Sequence, residues 1–182
     1  MGIKRRIKYI IHDIRYRLIT NIYGYKATKD SPKYMFDEIL IGKIYNVDGF
    51  IPKENDVVID VGAWYGDSAI WWAKKFKAMV IAFEPLPEVY NELLKNIKLN
   101  NVSDRITAYN TALGNGGEII GGKGNGTMFS LLNGESKLKT ATLDSFALKK
   151  VDVLKIDVEG FEYEVLEGSV NTIKKFHPKI II

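Results

Sequence analysis

Carboxylates and glycines able to do chemistry gather at three places in this 182-residue chain. The first is Asp60-Val61-Gly62-Ala63-Trp64-Tyr65-Gly66-Asp67, where an acid ends an apolar run and two glycines bracket a turn. Gly62 permits the tight turn, and Gly66 lets backbone approach a ligand at a helix start. The second is Glu84, which follows the apolar run MVIAF and suits a carboxylate gripping the two hydroxyls of a ribose. The third is Asp157-Val158-Glu159-Gly160, two acids directly after VDVLKI. Turn and ribose acid together imply a bound adenosine. The nicotinamide fingerprint G-x-G-x-x-G is not met by Gly62 and Gly66 alone, so the pyrophosphate cradle is incomplete. Asp60 would repel a pyrophosphate and suits instead the cationic ammonium or sulfonium of S-adenosylmethionine (SAM). GGKGNGT at 121–127 lacks the Gly-Lys-Ser/Thr ending of a Walker loop.

Elements that would position these residues follow from the alternation of short β-branched runs with stretches of helical period, the pattern of parallel α/β architecture. Strands are predicted at 56–61, 79–83, 106–109, 151–156 and 179–182. Helices are predicted at 68–76, over the segment after Pro85 and Pro87 with Val89, Leu93 and Ile97 on one face, and at 161–176, with a short one within 142–149. Pro suits a helix's first turn, and Asn100 and Asn101 end the second helix. Residues 114–126 are glycine-rich and predict a mobile loop or loose hairpin. The fold class expected is a doubly wound, mostly parallel Rossmann-like sheet. Its ligand site then lies outside the carboxyl ends of the strands, where the winding reverses.

No cysteine is present, which excludes disulfides, thiolate metal sites and a cysteine nucleophile, and points to a cytoplasmic setting. His12 and His177 stand far apart, and Asp157 with Glu159 lacks a third ligand, so no metal is expected. His177 before Pro178 reads as a helix-end residue, Glu162 and Glu164 as a solvated helix face, and one or both of Trp71 and Trp72 as packing. The net charge of +4 arises at the start of the chain. There Lys4, Arg5, Arg6, Lys8, Arg15, Arg17 and Lys26 face Asp13 alone, while the remainder is slightly acidic. Nothing therefore marks the body as nucleic-acid binding. Ile3, Ile7, Ile10, Ile11, Ile14 and Leu18 share one helical arc bordered by cations, predicting an amphipathic helix over 3–19. It could lie on an anionic membrane surface or pack on protein. His12, Asp13, Arg15 and Arg17 argue against a signal peptide. Residues 1–44 thus form a basic helix and lead-in, and 45–182 the ligand-binding domain.

The segments DVVIDVGAWYGDSAIWWAKK, IAFEPLPEVYNELLKNIKLNN, NTALGN, TLDSF and VDVLKIDVEGFEYEVLEG, in order between 56 and 168, resemble the FkbM-type SAM-dependent methyltransferases. That family is part of the class I Rossmann-like methyltransferases. The resemblance implies SAM as cofactor, with Asp60, Gly62, Ala63, Trp64 and Gly66 in the turn that holds its methionine part. It places Glu84 on the ribose and Pro85, Leu86, Asn110, Ala112 and Leu113 around the adenine. Asp157 and Glu159 would face the transferred methyl. Trp64-Tyr65 replaces the Asn-Ile common in this turn. In the family fold two further strands follow the fifth, so strand 179–182 is expected as an exposed edge, able to pair with a second copy.

The activity implied is O-methylation of a small-molecule or sugar hydroxyl, with Asp157, helped by Glu159, taking or orienting the proton. Two other readings stay open: a non-catalytic adenosine- or partner-binding module, and a nicotinamide-dependent oxidoreductase.

Overall fold

The structure, a computed structural model, describes residues 14, 18, 20–32, 34–40, 44, 45, 49–121 and 136–182. The helix expected over 3–19 lies outside these except at Ile14 and Leu18, which are helical and exposed. Membrane-surface contact through that segment lies outside them too.

Five parallel strands form the central sheet: β1 (Val57–Val61), β2 (Met79–Phe83), β3 (Ile106–Tyr109), β7 (Val153–Ile156) and β8 (Lys179–Ile181). Their spatial order is β3-β2-β1-β7-β8, so the chain winds one way through β3 and the other way through β7 and β8. The reversal falls between β1 and β7, paired from Val58–Val153 to Val61–Ile156. Helices cover both faces, which is why all four residues of β7 are buried. Among the described residues β8 pairs only with β7 and forms one edge of the sheet.

The first strands and helices match the periodicity closely. Helix α2 (Asp67–Phe76) buries Trp71 and Trp72 together with Ala69, Ile70 and Ala73. Helix α3 (Pro87–Leu99) starts on a proline, where no N–H is needed, and buries Val89, Leu93 and Ile97. The same helix carries Asn96 and, at the C-cap, Asn100, both buried, and these amides dock residues of the lead-in. Thr28 N donates to Asn96 Oδ1 at 2.8 Å, and Asn96 Nδ2 donates to Ser31 Oγ at 2.8 Å and Tyr65 O at 3.0 Å. Asn100 exchanges bonds with Lys26 N and O at 2.9 and 2.6 Å. Tyr25, Met35, Phe36 and Ile39, the last in the single turn α1 (Asp37–Leu40), share one apolar cluster with Val58, Trp71, Trp72 and Leu93.

Two segments differ from the sequence expectations, while the glycine-rich stretch, in its described part, is one arm of an expected hairpin. There β5 (Glu118–Gly121) runs antiparallel to β6 (Ser136–Ala141), and β4 (Ala112–Leu113), just before the stretch, runs parallel to the same strand. Residues 122–135 of that region lie outside the described set. The helix expected over 161–176 is two, α4 (Glu162–Glu167) and α5 (Val170–Phe176). A side chain at Gly168 would put its Cβ 1.9 Å from Gly114 O, so backbone meets backbone there and the helix breaks. Residues 143–146 form one 3-10 turn, capped by Thr142 accepting from Ser145 N. Among the described residues no helix is long and apolar enough to cross a membrane.

Candidate active site

A cavity opens at the carboxyl ends of β1, β2 and β7, beside the point where the winding reverses. Of the residues expected from sequence, Gly62, Trp64, Glu84, Pro85, Leu86, Ala112, Leu113, Asp157 and Glu159 line it. Asp60, Ala63, Gly66 and Asn110 are not among its lining residues.

The turn after β1 is held from several sides. Gly62 N and Ala63 N both donate to Phe83 O at 3.0 Å. Gly62 has φ 78, and a Cβ there would sit 2.0 Å from Asp157 O, so both its conformation and its proximity to the β7 loop demand glycine. Gly66 also lies at positive φ, 92, but the space beside it is filled by Leu93, 2.5 Å from where a Cβ would be. The close approach seen in this structure is between helices α2 and α3.

Glu84 follows β2 and is 5% exposed. Its Oε2 accepts from Trp64 N at 3.0 Å and its Oε1 from Leu86 N at 2.9 Å, so one carboxylate ties the β1 turn to the residues after β2. Burial pushes its pKa up to about 7 against the opposing pull of those two N–H groups. Asn110 fixes the same corner, donating to Glu84 O and Pro85 O at 2.9 and 3.0 Å.

Asp60 is fully buried and its charge is spent inside the protein. Ser68 Oγ donates to Oδ2 at 2.5 Å, and Lys155 Nζ lies 2.9 Å from Oδ1. Lys155, in the middle of β7, is not among the residues that sequence reasoning singles out. A lysine inside the buried run VLKI must have a partner, and that was the available signal. Burial pulls its ammonium down, but Asp60 and then Asp157 outweigh this and its pKa is raised. It also donates to Gly62 O at 2.8 Å and lies 3.9 Å from Asp157 Oδ2.

Asp157 differs from Asp60 in being open, its side chain 56% exposed. Tyr45, also unanticipated, donates its hydroxyl to Asp157 Oδ2 at 2.9 Å. Burial first, then the carboxylates of Asp157, Asp60 and Asp67, raise the Tyr45 pKa far above its ordinary value, so it remains a donor. Asp157 itself lines the cavity, and its contacts with Tyr45 and Lys155 fall on Oδ2. Glu159 sits at φ 52, its carboxyl raised by burial and by Asp157 and Glu162. Glu162, expected as a solvated acid, instead braces this loop by accepting from Gly160 N at 3.0 Å. Among the described residues no cluster of three metal-binding side chains occurs.

A parallel sheet with this reversal, a cavity at its strand ends and a glycine turn after β1 make a Rossmann-like fold. The solved structure of methyltransferase FkbM from Methylobacillus flagellatus superposes with a TM-score of 0.58 over 95% of this chain and 48% of its own, at 17% identity. The model of the methyltransferase FkbM domain matches residues 60–182, and the chain belongs to that family. Methyltransferase 1 of Beauveria bassiana is 26% identical over 180 residues, covering 81% of this chain and 71% of its own. Hexuronic acid methyltransferase AglP of Haloferax volcanii is 32% identical over 142 residues, covering 71% of this chain. The chain spans 56% of AglP's length and about half that of the solved FkbM protein.

Proposed function

We propose that this protein is a SAM-dependent methyltransferase acting on a hydroxyl of a small molecule or sugar. The observation that carries the reading is Glu84, a nearly buried carboxylate at the end of β2 that lines the cavity with both oxygens anchored to the turns on either side. Anchored there, it would receive the ribose hydroxyls in a charge-assisted pair. Pro85, Leu86, Ala112 and Leu113 supply an apolar slot for the adenine, and the Gly62–Trp64 turn receives the methionine part. Asp60, Ala63, Gly66 and Asn110 hold that frame without lining the cavity.

When bound, the cofactor supplies an electrophilic methyl on a sulfonium. The chain's part is alignment and proton transfer. Asp157 would take the proton of the acceptor hydroxyl as that oxygen receives the methyl group, while Tyr45 and Lys155 steady Oδ2. The products are a methyl ether and S-adenosylhomocysteine (SAH). Family membership and the sugar-directed relative support this class of acceptor.

Thermal shift with SAM, SAH and NAD tests the cofactor, because a ligand of the native state raises its melting temperature. SAM and SAH are expected to stabilise and NAD not to. Asp157→Asn should keep SAM affinity and lose turnover by about 10²–10⁴-fold, as removal of a general base does. SAM binding without transfer to any hydroxyl would favour the non-catalytic module instead.

A further inference from the structure

The cavity has a second wall that lies outside the stretch matched by the family model. Tyr34, Met35 and Tyr45 line it, and all three precede residue 60, where the match to the family begins. They stand on the lead-in that Asn96 and Asn100 dock to helix α3, with Met35 and Phe36 buried in the core beneath. This wall is therefore a fixed part of the fold. Tyr34 is 45% exposed, and its ring lies 6.2 Å from that of Trp64, tilted by 33°. Two neighbouring aromatic rings thus flank the cavity.

Charge is distributed one way. Asp67, Glu84, Asp157 and Glu159 line the cavity, and Lys155 is the one cation among its described lining residues. Lys155 is almost wholly buried and already committed to Asp60 and the Gly62 carbonyl. Among the described residues, a carboxylate or phosphate on the acceptor would meet Asp157 and Glu159 with Lys155, already committed, as the lining cation, and like charges brought together in a partly enclosed site repel strongly.

Resting on the methyltransferase reading above, we propose that the acceptor is an uncharged, hydroxyl-bearing ring of the pyranose type, gripped by Tyr34 and Trp64, and that uronates are refused. The C–H face of such a ring is apolar and packs on aromatic faces, while its hydroxyls find Tyr45 and Asp157 as donor and acceptor. In this the chain would part from a relative whose name specifies a hexuronic acid.

The test uses saturation-transfer NMR on the full chain loaded with SAH, with two probes that differ only at C5: methyl β-glucopyranoside and methyl β-glucopyranosiduronate. The neutral probe is expected to receive saturation at its ring protons and to bind at least about threefold more tightly than the uronate. Tyr34→Ala should abolish most of that transfer while SAH affinity, read by calorimetry, stays within about twofold. The double change Asp157→Asn with Glu159→Gln should shrink the preference for the neutral probe. Equal or tighter uronate binding overturns the proposal, as does undiminished transfer in Tyr34→Ala, or SAH binding with no transfer to either probe. Failure of SAH itself to bind would remove the cofactor reading first, and the acceptor with it.

Discussion

Asp60 and Asp157 belong to neighbouring strand ends, reach toward the same lysine, and live in opposite circumstances. Asp60 is sealed, with Ser68 at 2.5 Å and Lys155 at 2.9 Å taking up its charge. Asp157 lies farther from that ammonium, 3.9 Å, and stays open to the cavity. One cation therefore serves a structural acid at short range and steadies a more exposed one at long range. Burial separates the two roles: a desolvated carboxylate must be fully paired, and a fully paired carboxylate has nothing left to offer a substrate.

The sharpest way to break this contrast is Lys155→Met, which strands Asp60 as an unpaired buried charge. A loss of about 3–5 kcal/mol in urea unfolding is expected, the range for removing one partner of a buried ion pair. Adding Asp60→Asn should recover much of it, because Ser68 can bond an amide. A small loss in the single variant would mean water reaches Asp60 and the site is not sealed.

Next in size is the pH response of Glu84. A carboxyl raised in the fold stabilises while protonated, so its contribution is full below its ordinary 4.5 and is lost as pH rises through about 7. Wild type should lose about 3 kcal/mol relative to Glu84→Gln between those values, at about 1.36 kcal/mol per pKa unit. Ribose hydroxyls donate to the ionised form, so SAM affinity should climb by up to about tenfold between about pH 6 and 8, measured by calorimetry. A flat profile in both experiments would make Glu84 a permanently ionised turn brace.

Tyr45→Phe should be milder, about 1 kcal/mol by thermal unfolding, since it removes one hydrogen bond to a half-exposed acid. The smallest stability effect is expected for Asp157→Asn, within about 1 kcal/mol, as for an exposed ion pair. If it instead destabilises as much as Lys155→Met, the two acids do not differ in kind.

What can be read from sequence divides along the same line. Strands β1, β2, β3 and β7 are short apolar runs, and such runs announce themselves. Glu84 and Asp157 are legible because a strand's end is legible. Lys155 and Tyr45 are not, because their roles depend on partners distant in the chain. Lys155 needs Asp60 from the neighbouring strand, and Tyr45 needs Asp157, 112 residues away; only the folded sheet brings each pair together. The lead-in looks separate from the body for a similar reason. Its attachment runs through Asn96 and Asn100, which local reasoning treats as helix interior and helix stop. The break between α4 and α5 is hidden because Gly168 is required by a distant backbone, that of Gly114, rather than by its own torsion angles.

The contact between Gly62 and Asp157 has a mechanical consequence. Because the two backbones touch, with no room for a methyl group between them, a displacement of the turn after β1 presses directly on the loop after β7. Motion of the cofactor's proposed seat toward that loop pushes the acid the same way, which limits change in the spacing between methyl donor and proton acceptor. A substitution on either side that widened this seam would blur that spacing even if each half kept its shape.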